Sequence, residues 1–118
     1  MRYLSFRIKT ILLIGILFLS ASPLYASTAE DYNDAGIDCS KQGKYTEAIV
    51  EFTMAIELNP RFGMAYYNRG MAYQRQSNYT QAISDYTRAI EINPNDAAAY
   101  NNCGAAYTEQ GKVNDPDR

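Results

Sequence analysis

The feature that most constrains this chain is an internal repeat of 34 residues. Gly36, Gly70 and Gly104 are separated by that interval, and so are Tyr32, Tyr66 and Tyr100. Ala48 and Ala82, Phe52 and Tyr86, Ala55 and Ala89, and the dipeptides Asn59-Pro60 and Asn93-Pro94 keep the same phase. A fixed period of this size belongs to units that cannot bury their apolar faces alone and must stack on one another. Each period reads as two amphipathic helices back to back. The glycines offer a notch that lets a facing helix come close. The alanines are the small residues opposite it, and Phe52 and Tyr86 fill the space on either side. Pro60 and Pro94 lack a donor and push the preceding Asn out of helical geometry, which ends the second helix.

These residues resemble the tetratricopeptide repeat, whose pattern places an early aromatic, Gly, Tyr, Ala, an aromatic, Ala and a late Pro at these phases. The match covers nearly all of the chain after its first 28 residues. Repeat one spans 29–62 and repeat two spans 63–96, with a partial third repeat over 97–118. Cys39 stands where a Tyr is usual, and Arg69 where a Leu is usual. The resemblance implies an all-α fold, a short right-handed α-solenoid of helix-turn-helix units with about two and a half repeats. The expected helices are 29–42, 45–58, 63–76, 79–92 and 97–110. Ser77-Asn78 and Asn95-Asp96 supply helix-start residues, and nothing reads as a strand.

Residues 1–26 stand apart. Arg2, Arg7 and Lys9 lead into the unbroken apolar run 11–19, and small residues with Pro23 precede polar Ser27. That is the layout of a secretory signal peptide. The apolar run is well short of the ~20 residues a spanning helix needs, so cleavage is favoured over an uncleaved membrane anchor. Export to a periplasm or the cell exterior is therefore expected. The whole chain carries −2, and the leader holds three basic and no acidic residues, so the remainder stands at −5. An acidic module without a basic stripe repels phosphate backbones, and nucleic acid is not an expected partner.

The end of the sequence departs from the family pattern. After Gly111-Lys112 it reads Val113-Asn114-Asp115-Pro116-Asp117-Arg118, and Pro116 falls where the repeat wants its core Ala. The third unit thus has its first helix alone, with Tyr100, Cys103, Ala106 and Tyr107 expected to face a missing neighbour. A half-repeat that self-associates through this face and a shortened piece of a longer scaffold both fit.

Little here can carry covalent chemistry. With no histidine, acid/base pairs built on imidazole and most zinc sites are excluded. Cys39 and Cys103 lie two repeats apart on first helices, too far for the ~7 Å between Cα atoms that a disulfide tolerates. Cys39 is expected as a core filler, and Cys103 as a thiol on the open end able to bond between chains. Glu30, Asp31, Asp34 and Asp38 read as one polar helix face with favourable charge at the helix start, rather than as a calcium site. Most of the eleven tyrosines fall at packing positions. Asn78-Tyr79-Thr80 fits the glycosylation sequon, which matters only in a eukaryotic secretory route. No enzyme, no metal and no cofactor is expected.

What remains is a concave face. The resemblance implies that the first helices line a groove for an extended peptide or partner helix. By repeat phase the groove residues are Asn33, Asp34, Ile37 and Lys41; Met64, Tyr67, Asn68, Met71 and Arg75; and Asn101, Asn102, Ala105 and Thr108. Asn68 and Asn102 are one period apart, with Asp34 at the same phase, and a ladder of amides can bond a peptide backbone whatever its side chains. Met64, Tyr67 and Met71 add an adaptable apolar floor. The family's chaperone-binding class grips a C-terminal carboxylate with Lys and Asn residues at fixed phases. The positions here are Asn33, Ile37, Asn68, Ala98 and Asn102, of which Asn68 alone matches. A chaperone carboxylate-clamp ligand is therefore not expected. The partner is expected to be another protein or peptide, with homo-oligomerisation as the alternative.

Overall fold

The computed structural model describes residues 27–115 and 117. The expected leader, Pro116 and the final residue lie outside the described residues. Five helices follow one another without a strand among the described residues: α1 (Ala29–Lys41), α2 (Tyr45–Leu58), α3 (Gly63–Arg75), α4 (Tyr79–Ile92) and α5 (Ala97–Asn114). Each packs on its neighbours in sequence, and α1 also meets α3, as α3 meets α5. This is an all-α solenoid of about two and a half helix-turn-helix repeats. None of the described helices is long and apolar enough to cross a membrane.

Local chemistry sets the boundaries, and it repeats. Thr28 opens α1 with a reciprocal capping box: its hydroxyl accepts from the Asp31 N–H at 3.1 Å, and its own N–H donates to Asp31 Oδ2 at 2.8 Å. The reversal after α1 uses Gly43 at φ 75°, and the reversal after α3 uses Ser77 at φ 59°. Asn59 and Asn93 leave the helix as extended residues ahead of their prolines, as expected from the X-Pro restriction. Their side-chain oxygens then accept from the N–H of Arg61 and Asn95.

At the same phase as Gly43 and Ser77, Gly111 remains helical, and α5 runs to Asn114 rather than stopping at 110. No described helix docks back on α5 at this point. Without that docking a left-handed turn gains nothing, and the Asp115 N–H continues the helical pattern to the Gly111 carbonyl.

The core sits between paired helices. Phe52 closes one cluster with Ala48 and Ala72, and Tyr86 closes another with Ala82, Ile83, Cys103 and Ala106. The glycine notches hold more than the backbone of a facing helix. A Cβ on Gly36 would lie 2.5 Å from Phe52 Cε1, and one on Gly70 would lie 2.9 Å from Tyr86 Cε1. An aromatic ring, more than the facing backbone, occupies each notch. The expectation for α5 was only half right. Tyr100 and Tyr107 are exposed, but Cys103 and Ala106 are buried, because α4 covers only the flank of the helix on which these two stand. Cys103 is therefore no thiol on an open end; it and the half-buried Cys39 are both free.

Candidate functional site

Stacking α3 beside α1 creates a groove of about 350 Å³, lined by Ile37, Ser40, Lys41, Tyr45, Phe52, Asn68, Met71, Ala72 and Arg75. Its depth follows from the side chains beneath it. Ala72 is small and buried, and the ring of Phe52 reaches between α1 and α3 from α2. Ile37 and Tyr45 extend this apolar floor. Around it stand an amide, Asn68, and two exposed cations, Lys41 and Arg75.

Of the residues expected at the site, the structure brings Ile37, Lys41, Asn68, Met71 and Arg75 together in this groove. Asn33 lies beneath it, buried, and accepts from Asn68 Nδ2 at 2.9 Å. Tyr67 accepts in the same way from Asn102 Nδ2 at 2.9 Å, and its ring sits 5.9 Å from that of Tyr86. Asp34, Met64, Asn101, Ala105 and Thr108 are exposed and do not line the groove. The amide ladder is thus partly turned inward. α3 and α5 each give one amide hydrogen to the first helix before them, across 35 residues of sequence. Asn68 and Asn102 each use one amide hydrogen in these bonds, which leaves the second hydrogen and the carbonyl oxygen of the carboxamide outside them. Among the described residues, no buried side-chain polar atom is left without a partner.

The sequence reading missed the contribution of the helix ends and the second helices: Ser40, Tyr45, Phe52 and Ala72 all line the groove. It also left Arg69 unexplained. Arg69 Nε and Nη2 donate to the two oxygens of Asp85 at 2.7 and 2.8 Å, and Nη1 donates to Thr53 Oγ1 at 3.1 Å. Its guanidinium also lies over the rings of Tyr66 and Tyr73, at 5.7 and 6.0 Å from their centroids. This clamp ties α2, α3 and α4 together. The hydrogen bond to Asp85 holds the Arg69 pKa above its ordinary value, against the opposing effect of burial. The signal was an Arg at a core phase together with an Asp on the next helix. The four acidic residues of α1 form no metal cluster among the described residues. Asp31 is spent on the cap, where the Thr28 N–H and hydroxyl hold its carboxyl below the usual carboxylate range.

Three models of the tetratricopeptide repeat match, over residues 64–96, 38–77 and 85–115. The second tetratricopeptide domain of Spaghetti (RPAP3), solved with the HSP90 peptide SRMEEVD, is 33% identical, covering 75% of this chain and 82% of that one, with a TM-score of 0.70. The chain belongs to the tetratricopeptide repeat family. The second such domain of human RPAP3, in complex with the HSP70 peptide SGPTIEEVD, is 34% identical over 73% of this chain and 72% of that one, with a TM-score of 0.69. MamA is 26% identical, covering 88% of this chain and 64% of that one, with a TM-score of 0.72. Comparison with curated protein sequences finds no match. The tetratricopeptide fold is a protein-interaction scaffold, typically without catalytic activity.

These relatives overturn one expectation. A chaperone-tail ligand was excluded because cations are missing from fixed phases of the repeat, yet tetratricopeptide domains at this level of identity hold chaperone peptides ending in EEVD. The exclusion failed because it compared phases instead of surfaces. Lys41 and Arg75, away from the phases compared, reach the same groove as Asn68, so the groove is not without positive charge.

Proposed function

We propose that this tetratricopeptide protein is an exported interaction module whose groove between α1 and α3 takes an extended peptide segment bearing carboxylates. The observation that carries this reading is the convergence of Asn68, Lys41 and Arg75 around the floor made by Ile37, Tyr45, Phe52 and Ala72. The amide can bond the peptide backbone, the two cations attract acidic side chains or a terminal carboxylate, and Met71 adapts to an apolar side chain. The acidic peptides held by the RPAP3 domains support this ligand chemistry. Export rests on the basic, apolar and small-residue layout of residues 1–26. Intact-mass measurement of the protein from its host tests it: a chain beginning near Ser27 is expected, and a retained leader would make the module membrane-tethered.

Binding is tested with fluorescein-labelled SRMEEVD, whose sequence is that held by the RPAP3 domains. A short array with few aromatic anchors should bind modestly, with a Kd on the order of 10 µM or weaker. Lys41→Glu with Arg75→Glu should weaken binding at least tenfold, and amidating the peptide's C-terminus should weaken it further. Unchanged affinity in the charge-reversed protein would remove the groove from consideration.

A further inference from the structure

The exposed side of α5 carries Tyr100, Gly104, Tyr107 and Gly111, spaced by four, three and four residues, so that they form one stripe along the helix. Both tyrosines are more than half exposed, at 52% and 58%, and a Cβ built on Gly104 or Gly111 would meet nothing within 4 Å. The order along the stripe is large, small, large, small. Reversed, it reads small, large, small, large. An antiparallel second copy would therefore place its Gly104 against Tyr107 and its Gly111 against Tyr100. The same two-fold places the second copy's Tyr107 against Gly104 and its Tyr100 against Gly111. All four knobs find holes at once.

From this self-complementarity we propose that the protein forms a symmetric dimer through antiparallel packing of α5 against α5 of a second copy. The contact continues one the fold already uses. At the phase of Gly104, Gly36 receives the ring of Phe52 and Gly70 receives the ring of Tyr86, each from the helix packed against it. Gly104 is the member of the series whose notch no described residue enters, and Tyr107 of a second copy supplies the ring. The arrangement is isologous and closes at two, since each copy uses the same patch. Two crossing helices of 18 residues bury less than the ~1,600 Å² of a standard interface. The dimer is consequently weak, and its population rises with concentration.

Sedimentation velocity of the purified protein over a broad concentration range reads this out. The mass should climb from one chain towards two while the circular dichroism stays helical. Gly104→Leu, which meets nothing within 4 Å in the single chain, should hold the mass at one chain without loss of helix. Gly104→Tyr combined with Tyr107→Ala exchanges the large and small positions and should restore association. A single-chain mass at every concentration overturns the proposal. So does association that Gly104→Leu leaves intact, because the contact then lies elsewhere. Protection of both tyrosines from iodination in a single-chain species also overturns it, by showing that the same chain covers the stripe.

Discussion

Substituting alanine at two glycines of identical repeat phase should change stability in opposite directions. At Gly36 the new Cβ would stand 2.5 Å from Phe52 Cε1, 2.6 Å from Cδ1 and 2.9 Å from Cζ, against ordinary contacts of 3.4 Å and beyond. The ring must retreat by roughly 1 Å, and it is fully buried, so it has no open side into which to move. Overpacking of this kind costs about 1–3 kcal/mol, which exceeds the ~1 kcal/mol that alanine gains over glycine inside a helix. At Gly104 nothing lies within 4 Å, so the propensity gain stands alone, at about 1 kcal/mol. Urea denaturation followed by circular dichroism, at protein concentrations low enough to keep the chain monomeric, measures both. Gly36→Ala should lower the midpoint and Gly104→Ala should raise it, with a spread of roughly 1–3 kcal/mol between them, since the propensity gain is common to both. A stable Gly36→Ala variant, or a destabilised Gly104→Ala monomer, would refute the claim that ring insertion into the notch decides the tolerance of this phase.

Other substitutions probe the polar interior. Asp85→Ala leaves the Arg69 guanidinium partly buried opposite no carboxylate and should cost about 3–5 kcal/mol in urea melts. Leu at both positions should recover most of that loss, because a buried ion pair and a packed apolar pair are often near equal in stability. Burial pushes the Tyr86 phenol above its ordinary pKa. Its proton is therefore held more tightly in the folded state than in the unfolded one. Stability should be flat through neutral pH and fall once pH rises above ~10, where unfolded tyrosine ionises. Tyr86→Phe should weaken this alkaline loss while costing about 1 kcal/mol at neutral pH through the lost 2.7 Å bond to Gln74 Oε1. The lowered Asp31 pKa reports a cap present above the ordinary carboxylate pKa and lost as pH falls. Thr28→Ala should fray the first turn of α1, seen as faster hydrogen exchange there at neutral pH.

The phase of the glycines, alanines, aromatics and prolines determined the order and pairing of the described helices and, to within a residue, the boundaries of α1 to α4, because each of those residues acts within its own turn or on its immediate neighbour. The end of α5 at Asn114 was left to the absence of a described helix docked on it. Asn59-Pro60 ends α2 whatever surrounds it, and the period alone places α3 beside α1. Features that depend on how closely separate helices approach were not legible in that way. Arg69 looked like a departure from a Leu phase, and it became a clamp when Asp85 and Thr53 came from two other helices to meet it. Asn68 and Asn102 looked like free groove amides, but each first helix sits close enough to the next for one hydrogen to be taken inward. Lys41 and Arg75, one on each first helix, converge on one groove. Their side chains are long, and the distance between two such heads depends on how the helices stack. Periodicity is a property of the chain, and it sets which residues share a helix face. The ion pair, the shared hydrogens and the basic groove belong to the spacing between helices, which the packed core establishes.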